Sequence, residues 1–320
     1  MELGVAAMEN KSDRIYKTGA RGYFAYQFKE MKKNKEMYLF VSPYVIVFLI
    51  FVLLPVLISI YLSFTQFNIV SAPQFVGIAN YLNMFLKDEI YMKALQNTLI
   101  FAAITGPVGY ILSFTFAWLI NEVPQRLRSP MTLIFYAPAI SGNAYLIWAV
   151  LFSGDSYGYI NGTLKSLGMI DSPIQWLTDV NYMKTVLIVV MLWVSLGTGF
   201  LAFRAGLQGI DRSLFEAAAV DGVKNRWQEL WFITLPSMRP QLMFGAVMSI
   251  TASFGTGDLI TQLSGFPTVD YEAHTLVHHL QDYGGIRFEM GYASAIATVL
   301  FLMMIFSNVI IKKLISKVGK

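Results

Sequence analysis

The chain has 320 residues, of which 55% are hydrophobic and only 14% are charged. Soluble globular proteins carry about 25% charged residues, so this composition excludes an ordinary water-soluble domain and indicates an integral membrane protein. The net charge of +4 does not indicate a nucleic-acid partner, and we expect none. Because the sequence has no cysteine, it also excludes disulfides, thiolate metal ligands and a cysteine nucleophile.

Six apolar runs are long enough to cross a membrane, because a helix needs about 20 residues to span the hydrocarbon core. Lipid offers the backbone no hydrogen-bond partner, so we predict a helix in each run. The runs cover residues 38–62, 95–120, 131–152, 184–205, 241–263 and 290–311. They predict an all-α membrane protein with a basic N-terminal segment at 1–37, a six-helix membrane domain at 38–312 and a tail at 313–320.

The distribution of basic residues predicts the orientation of these helices. Of the 24 Lys and Arg residues, nineteen fall in the N-terminus, the second and fourth loops and the C-terminus, and five fall on the other side. Because loops rich in Lys and Arg stay in the cytoplasm, both termini are predicted to be cytoplasmic. We expect the first helix to be retained, since the roughly 37 polar and basic residues before it are too many for a secretory leader.

The N-terminal segment interleaves aromatic and basic residues between positions 15 and 37. We interpret it as an interfacial segment whose rings lie at headgroup depth while its lysines face anionic membrane lipid. The alternative is a solvated basic leader. The rings in question are Tyr16, Tyr23, Phe24, Tyr26 and Phe28.

Two predicted external loops, each of roughly 30 residues, mix apolar and turn residues in a way that favours short packed helices. The first loop contains FVGIANYLNMF, and the second contains SYGYINGTLKSLG. Asn161, Gly162 and Thr163 in the second loop match a glycosylation sequon, but so short a pattern arises by chance and carries little weight.

The cores of the six runs contain no ionisable residue. The nearest ones lie close to the predicted helix ends: Lys184, Arg204, Asp258 and Glu289. A charge at the bilayer centre costs at least about 2.5 kcal/mol, and it usually marks a proton or ion path. Its absence disfavours both an ion-coupled transporter and an intramembrane enzyme.

Small and weakly polar residues do interrupt the apolar runs. They permit close helix packing or line a wet path, and for a single glycine packing is the more frequent role. The segments are TGPVG at 105–109, SGNAY at 141–145, WVSLGTG at 193–199 and SFGTGD at 253–258.

All three histidines lie in one segment, YEAHTLVHHL. His274 and His278 have the i, i+4 spacing that allows two ligands to share a metal on one helix face. The HExxH pattern of a zinc protease is absent, so we favour an ordinary loop helix or a partner contact and predict no metal site.

The stretch EAAAVDGVKNRWQELWFITLPSMRP at 216–240 interrupts the apolar pattern with a polar helix, a glycine, a second helix and two prolines. Ser213 and Glu216 fit a capping box, so we predict that a helix begins at about Ser213. Gly222 can end that helix, while Pro236 and Pro240 mark the start of the fifth membrane helix. The loop at 206–240 is therefore predicted to be a helix–turn–helix on the cytoplasmic surface, with an amphipathic connector lying on the bilayer as the alternative.

Three groups of residues in this stretch form a pattern that resembles the EAA loop of membrane subunits of ATP-binding-cassette importers. The DG and ITLP elements are similar to those of the carbohydrate branch, the maltose-type permeases, and the chain is most similar to members that handle complex saccharides. The groups are Glu216-Ala217-Ala218, Asp221-Gly222 and Ile233-Thr234-Leu235-Pro236. The first helix and the loop segments FVGIANY, NTLIF and YGYING extend the resemblance over nearly the whole chain.

The resemblance implies the fold of a type I importer permease in a bacterial cytoplasmic (inner) membrane, with a cytoplasmic EAA coupling helix that docks in a groove of an ATPase. Coupling would run through residues 213–236, with Ala217, Ala218 and Gly222 forming a flank almost without side chains. Ten residues separate Gly222 from Ile233 where nine are expected, so this half is predicted to be rotated or bulged. The implied coupling residues are Glu216, Ala217, Ala218, Asp221, Gly222, Leu235 and Pro236.

The same resemblance implies partners. The chain has no GxxxxGK[ST] loop, so ATP and Mg would be bound by a partner ATPase and the chain itself is not an enzyme. The implied complex contains a second homologous permease, two ATPase subunits and an extracellular or periplasmic sugar-binding protein. That protein would touch the loops at 65–94, 153–183 and 264–288.

For the sugar path we nominate six residues in the small-residue segments, because aromatic faces stack on sugar rings and polar groups match sugar hydroxyls. Each of them could equally be a packing residue. They are Asn143, Tyr145, Trp193, Thr198, Thr256 and Asp258. Two other classes remain as hypotheses: an ion-coupled secondary sugar carrier that acts alone, and a structural or regulatory membrane protein.

Overall fold

The computed structural model describes residue 31 and residues 33–315. The predicted interfacial rings between Tyr16 and Phe28, and the tail from residue 316, lie outside the described residues. The described chain is mostly helical, and its strands β1 (Thr65–Gln66) and β2 (Gln74–Phe75) form a short antiparallel pair. It divides into two compact units between Ser59 and Ile60.

The first unit contains most of helix α1, Lys35–Leu62, which includes a π-helical turn at Leu49–Leu53. The most apolar window of α1 has a mean hydropathy of 3.1, and none of that window is buried. A helix that is apolar on all sides is suited to lipid or to another membrane chain.

The helices of the second unit are, in chain order, α2 (Ala79–Leu86), α3 (Glu89–Glu122), α4 (Gln125–Ile140), α5 (Leu146–Leu151), α6 (Tyr159–Ser166), α7 (Met183–Val194), α8 (Thr198–Gln208), α9 (Arg212–Val220), α10 (Arg226–Glu229), α11 (Leu235–Ser237), α12 (Arg239–Phe254), α13 (Gly257–Ser264), α14 (Leu276–Gln281) and α15 (Met290–Ile315). Further π-helical turns lie at Leu230–Thr234 and Asp282–Ile286. The short helices predicted in the two long loops are confirmed as α2 and α6.

Four helices among the described residues are long and apolar enough to cross a membrane: α1, α3, the pair α7 and α8 taken together, and α15. Helices α12 and α13 meet at a 43° bend and count as a fifth if the pair is one span. These five correspond to the predicted runs other than the third.

The third run does not form the single helix predicted over 131–152. Helix α4 ends at Ile140, and α5 begins only at Leu146. Pro138 lies in the last turn of α4 and has no N–H to donate, and Gly142 takes a φ of +68°, which α-helical backbone does not allow. The SGNAY segment is therefore a break between two helices.

Helix α3 lies at the centre of the second unit, where α7, α8 and α12 pack against it. Phe203 of α8 is fully buried and packs in T-shaped contacts with Tyr110 and Phe114 of α3, at ring-centroid distances of 5.4 and 5.6 Å. A Cβ atom at Gly199 would lie 3.5 Å from the Gly245 Cα, so α8 and α12 approach closely there. The prediction that small residues permit close helix packing is confirmed at these positions.

Asn161 organises the loop that follows α5. It is only 1% exposed, and its Nδ2 donates to the Ile174 carbonyl at 3.0 Å. Its Oδ1 accepts hydrogen bonds from the Ile174 N–H at 3.2 Å and from the Trp176 Nε1 at 2.8 Å. Asn161 is thus a buried structural residue, which agrees with the low weight given to the glycosylation sequon at this position.

Candidate functional site

Residues 211–237 form a helical hairpin of α9, a turn, α10 and α11, which confirms the predicted helix–turn–helix. Helix α9 begins at Arg212, and the Asp211 Oδ1 accepts a hydrogen bond from the Ser213 N–H at 3.0 Å. This bond lowers the pKa of the Asp211 carboxyl. The predicted capping box of Ser213 and Glu216 is wrong, because Asp211 caps the helix two residues earlier and leaves Glu216 exposed.

Gly222 ends α9, as predicted. The Val223 N–H donates to the Ala218 carbonyl at 2.9 Å, and the Gly222 N–H donates to the Ala219 carbonyl at 3.3 Å, which is the Schellman pattern. Gly222 has a φ of +93°, and no atom of the described residues lies within 4 Å of where its Cβ would stand. The turn therefore requires glycine because of its backbone conformation and not because of crowding within the chain.

The second half of the hairpin begins at Asn225, whose Oδ1 accepts a hydrogen bond from the Gln228 N–H at 2.9 Å. Helix α10 then passes into the π-helical turn Leu230–Thr234 before Pro236. A π turn holds more residues than an α turn, so a bulge does lie in the half of the hairpin where the spacing departs from the expected pattern.

The hairpin presents apolar and small side chains at the surface of the chain. Val220 is 88% exposed, Phe232 is 70% exposed and Trp231 is 60% exposed. Ala217 and Gly222 are also exposed. Such a surface is suited to contact with another protein, because large apolar side chains are exposed to solvent and small residues allow the backbone of a neighbouring protein to approach closely.

A central cavity of about 550 Å³ is lined by α3, α8 and α12 and by the breaks in the helices at 141–145, 195–197 and 255–256. The small-residue segments of the sequence therefore lie around one space. The nominated residues found in its lining are Asn143, Tyr145, Thr198, Thr256 and Asp258. Trp193 is not in the lining, because its ring packs edge-to-face on Trp148 at 5.6 Å.

Sequence reasoning nominated no single residue of α3 or α12 for this cavity, although two of the small-residue segments reach into those helices. Helix α3 provides Thr105, Tyr110 and Ser113, and α12 provides Ser249 and Ser253. The spacing of Thr105 and Ser113 at i and i+8, around Gly109, places them on one helix face and was a signal that could have found them. The lining is rich in hydroxyl groups, and Asp258 is the single charged side chain that the described residues contribute to it.

A second cavity, of about 450 Å³, lies beside the helical hairpin and is lined largely by charged and polar groups. Its lining includes Glu122 at the end of α3 and, from the hairpin, Arg212, Glu216, Arg226 and Glu229. The Arg226 Nη1 lies 2.7 Å from the Glu229 Oε2, and the Arg226 Nε lies 3.3 Å from the Glu122 Oε2.

The three histidines are buried inside the second unit and do not form a surface contact. His278 and His279 lie in α14, as predicted for a loop helix, and each histidine is at most 2% exposed. Burial lowers the pKa of His274 to about 3 and that of His278 to about 4, so both imidazoles are neutral. Among the described residues, no three His, Asp or Glu side chains are grouped as metal ligands.

His279 contacts Asp88, the residue that precedes α3. The Asp88 Oδ2 accepts hydrogen bonds from the His279 Nε2 at 3.0 Å and from the Tyr292 hydroxyl at 2.8 Å, and its Oδ1 accepts one from the Tyr91 N–H at 2.8 Å. Burial opposes ionisation of Asp88, but these hydrogen bonds outweigh it and hold the pKa of the carboxyl well below its usual value. No sequence pattern indicated this cluster.

The protein combines apolar spans, a hydroxyl-lined cavity among them and an exposed helical hairpin between the spans α8 and α12. This combination is that of a membrane subunit of a transport system. Residues 20–320 match the family model described as binding-protein-dependent transport system inner membrane component, and the chain belongs to this family. It is a transport subunit and not an enzyme.

Relatives and a solved structure support the same assignment. The chain is 33% identical over 279 residues to the probable ABC transporter permease protein YesP of Bacillus subtilis (strain 168), covering 85% of this chain and 88% of that one. It is 32% identical over 275 residues to the lactose transport system permease protein LacF of Rhizobium radiobacter, covering 83% and 89%. It also resembles a chain in the crystal structure of a bacterial alginate ABC transporter bound to a periplasmic protein carrying an alginate pentasaccharide, with a TM-score of 0.70, 26% identity and coverage of 92% and 99%.

Proposed function

We propose that the chain is one of two transmembrane subunits of an ATP-driven saccharide importer and that it forms half of the path for the saccharide. The helical hairpin is the observation that carries the proposal. It is an exposed surface helix with small residues, ended by Gly222, inserted between the spans α8 and α12. Membership in a binding-protein-dependent family supports it, as do relatives named for lactose and alginate transport.

The membrane topology that we propose has six spans. Helices α1, α3, the pair α7 and α8, the bent pair α12 and α13, and α15 supply five. The broken pair α4 and α5 supplies the sixth, since residues 125–151 are together long enough to cross about 30 Å at 1.5 Å per residue. With both termini in the cytoplasm, the hairpin lies on the cytoplasmic side, where an ATPase would reach it.

The hairpin would couple the path to the ATPase. Helix α9 would dock in a groove of the ATPase subunit, which binds ATP and Mg, and the movement would pass through α10 and α11 into α12. A second permease would complete the cavity and a sugar-binding protein would contact the loops at 65–94, 153–183 and 264–288. The residues assigned to coupling are Glu216, Ala217, Ala218, Asp221, Gly222, Leu235 and Pro236.

The central cavity would contact the saccharide. Its hydroxyl groups, the Asn143 amide and the Asp258 carboxylate can exchange hydrogen bonds with sugar hydroxyls, and the rings of Tyr110 and Tyr145 offer apolar faces. We assign contact roles to Asn143, Tyr145, Thr198, Thr256 and Asp258, and not to Trp193. The hypothesis of an ion-coupled carrier acting alone has no support, because the family consists of components of multi-subunit systems.

Purification of the tagged chain from its host in mild detergent tests the proposal. Mass spectrometry is expected to find a homologous permease and a P-loop ATPase, and ATP hydrolysis by the complex is expected to rise when the binding protein is added with a saccharide. Lactose and alginate pentasaccharide are the first probes. Recovery of the chain alone, under conditions that preserve other membrane complexes, would contradict the proposal.

A matched pair of glycine variants tests the hairpin in that complex. Gly222→Leu is expected to abolish saccharide-stimulated hydrolysis while membrane insertion is retained, because a side chain strains the turn at φ +93° and obstructs the docking flank. Gly168 has a φ of +69° and equally open surroundings among the described residues, but lies in the loop after α6, far along the chain from the hairpin. Gly168→Leu is expected to keep the ATPase subunit in the purified complex and Gly222→Leu is expected to lose it, so equal loss of the ATPase in both variants would sink the docking role.

A further inference from the structure

Two consecutive residues of the helical hairpin contact two residues that lie one turn apart on α3. The Arg226 Nε lies 3.3 Å from the Glu122 Oε2, and the rings of Trp227 and Trp118 lie 5.4 Å apart between centroids at an angle of 50°. Residues at i and i+4 share one face of a helix, so the two contacts form a single two-point attachment. We call these four residues the clasp.

The hairpin holds Arg226 in position for this attachment. The Arg226 Nη1 contacts the Glu229 Oε2 at 2.7 Å, one turn along α10, so the guanidinium group bridges a carboxylate of the hairpin and a carboxylate of α3. Asn225 fixes the backbone immediately before Arg226 by capping α10. The planar guanidinium suits such a bridge, because its N–H groups point in fixed directions.

The ion pair of the clasp contributes little to stability. The Arg226 side chain is 65% exposed and that of Glu122 is 36% exposed, and such surface ion pairs are only weakly stabilising. The location of the clasp in the fold matters more than its stabilising energy, because it joins two elements that are distant in sequence. The chain joins the hairpin to α8 at one end and to α12 at the other, whereas α3 is separated from it in sequence.

Helices α3 and α12 form two walls of the central cavity, with Tyr110 on the first and Ala252 on the second. The hairpin is joined to α12 along the chain through α11. It contacts α3 at the clasp, in the last turns of that helix. Helix α3 also packs against α12, which gives a second route from the hairpin to α3. An experiment must therefore test whether α3 moves with the hairpin when the clasp is absent.

We propose that the clasp transmits movement of the hairpin to α3, so that an ATPase acting on α9 displaces both walls of the cavity together. Arg226 and Trp227 are in this sense positioning residues of the transport cycle. The inference rests on the proposed function, since it takes the hairpin to be the part that the ATPase moves.

Single introduced thiols test the proposal, because the native chain has no cysteine. Tyr110→Cys reports on α3 and Ala252→Cys reports on α12. Each is placed in the complete complex, and its labelling by a water-soluble thiol reagent is compared without nucleotide and with ATP plus vanadate. With the native clasp, ATP is expected to change labelling at both positions.

In the Arg226→Ala, Trp227→Ala background, the ATP-dependent change at position 110 is expected to be lost while the change at position 252 is retained. A purely structural defect of the hairpin would remove both. Lys224→Ala is the matched control, because it removes the same charge from an exposed position of the hairpin outside the clasp. That control is expected to keep both changes.

Glu122→Gln breaks the ion pair from the α3 side with almost no change in shape, and it is used if the double variant does not assemble with its partners. It is expected to weaken the response at position 110, and Arg226→Lys is expected to keep part of it. An unaltered response at position 110 without the clasp would overturn the inference alone. No response at either position in the native background would overturn the proposed function and the clasp with it.

Discussion

The two ends of helix α3 each carry a carboxylate, and the protein holds them in opposite ways. Asp88, at the start, is 11% exposed, whereas Glu122, at the end, is 36% exposed and forms its ion pair with the exposed side chain of Arg226. Asp88 accepts hydrogen bonds from four donors: the Tyr91 N–H, the His279 Nε2 and the hydroxyls of Tyr283 and Tyr292.

The difference shows how one helix combines a fixed end with an adjustable end. The donors to Asp88 come from α14, from the π-helical turn after it and from α15, so one carboxylate ties three parts of the chain to the start of α3. A buried carboxylate with its partners in place is costly to disturb. The contact at Glu122 can shift at little cost, which suits a helix whose far end follows the hairpin.

Replacement of Asp88 is expected to have the largest effect on stability. Asp88→Ala leaves the Nε2 of the buried His279 and the Tyr292 hydroxyl without their acceptor, and each buried donor left without a partner costs about 1–3 kcal/mol. The free energy of unfolding is measured by denaturant titration of the purified chain. Asp171→Ala, at an exposed loop position, is the control, and equal losses in the two variants would contradict the special role of Asp88.

Acidification is expected to weaken the Asp88 end. His274 and His278 have pKa values of about 3 and about 4, below the 6.5 of an exposed histidine, because burial disfavours their charged forms. The unfolded chain therefore binds more protons, so their contribution is complete above pH 6.5 and is lost as pH falls towards 4. At pH 5.5 we expect a loss of about 1 kcal/mol per histidine relative to neutral pH, measured by unfolding at each pH. A flat profile between pH 7 and 5 would contradict it.

His274→Phe sharpens the same comparison. His274 is 2% exposed, neither of its ring nitrogens has a partner within the described chain, and its ring stacks on Phe266 at 5.9 Å. A phenyl ring keeps the stacking and removes a buried polar group, so we expect stability to be unchanged or higher at pH 7 and about 1 kcal/mol higher than that of the native chain at pH 5.5. His278→Phe is the contrast, because it breaks the contacts of His278 with Thr275 and Thr261 and is expected to destabilise.

The sequence was informative where a local pattern determines local structure. The long apolar runs predicted α3 and α15, because the hydropathy of a run depends only on the residues of that one helix. The positive φ of Gly222 agrees with its position directly after α9 and shortly before Asn225, the residue that caps α10. The capping prediction at Ser213 failed because Asp211 accepts the hydrogen bond of the Ser213 N–H and starts the helix at Arg212. The break at 141–145 was read as part of a span because its residues were judged for hydropathy and not for backbone conformation.

Contacts between distant parts of the chain were beyond the sequence. Asp88 and His279 are 191 positions apart, and Glu122 lies more than a hundred residues before Arg226, so no spacing rule relates them. The central cavity was partly predictable, because its breaks carry visible clusters of glycine, serine and threonine. Trp193 shows the limit, since an aromatic residue in such a cluster can face its neighbour Trp148 as easily as the cavity.

The smallest effect on stability is expected at the Glu122 end. Glu122→Gln keeps the shape of the side chain and weakens one exposed ion pair, so the free energy of unfolding should change by no more than about 0.5 kcal/mol, and less at high salt. Unfolding of Glu122→Gln and of the native chain is compared at low and high salt. A loss close to that of Asp88→Ala would mean that the two ends of α3 are anchored alike. A negligible loss of stability together with a weakened response of α3 to ATP would show that the two ends have different roles. The Asp88 end would then hold the helix in place, and the Glu122 end would transmit the movement.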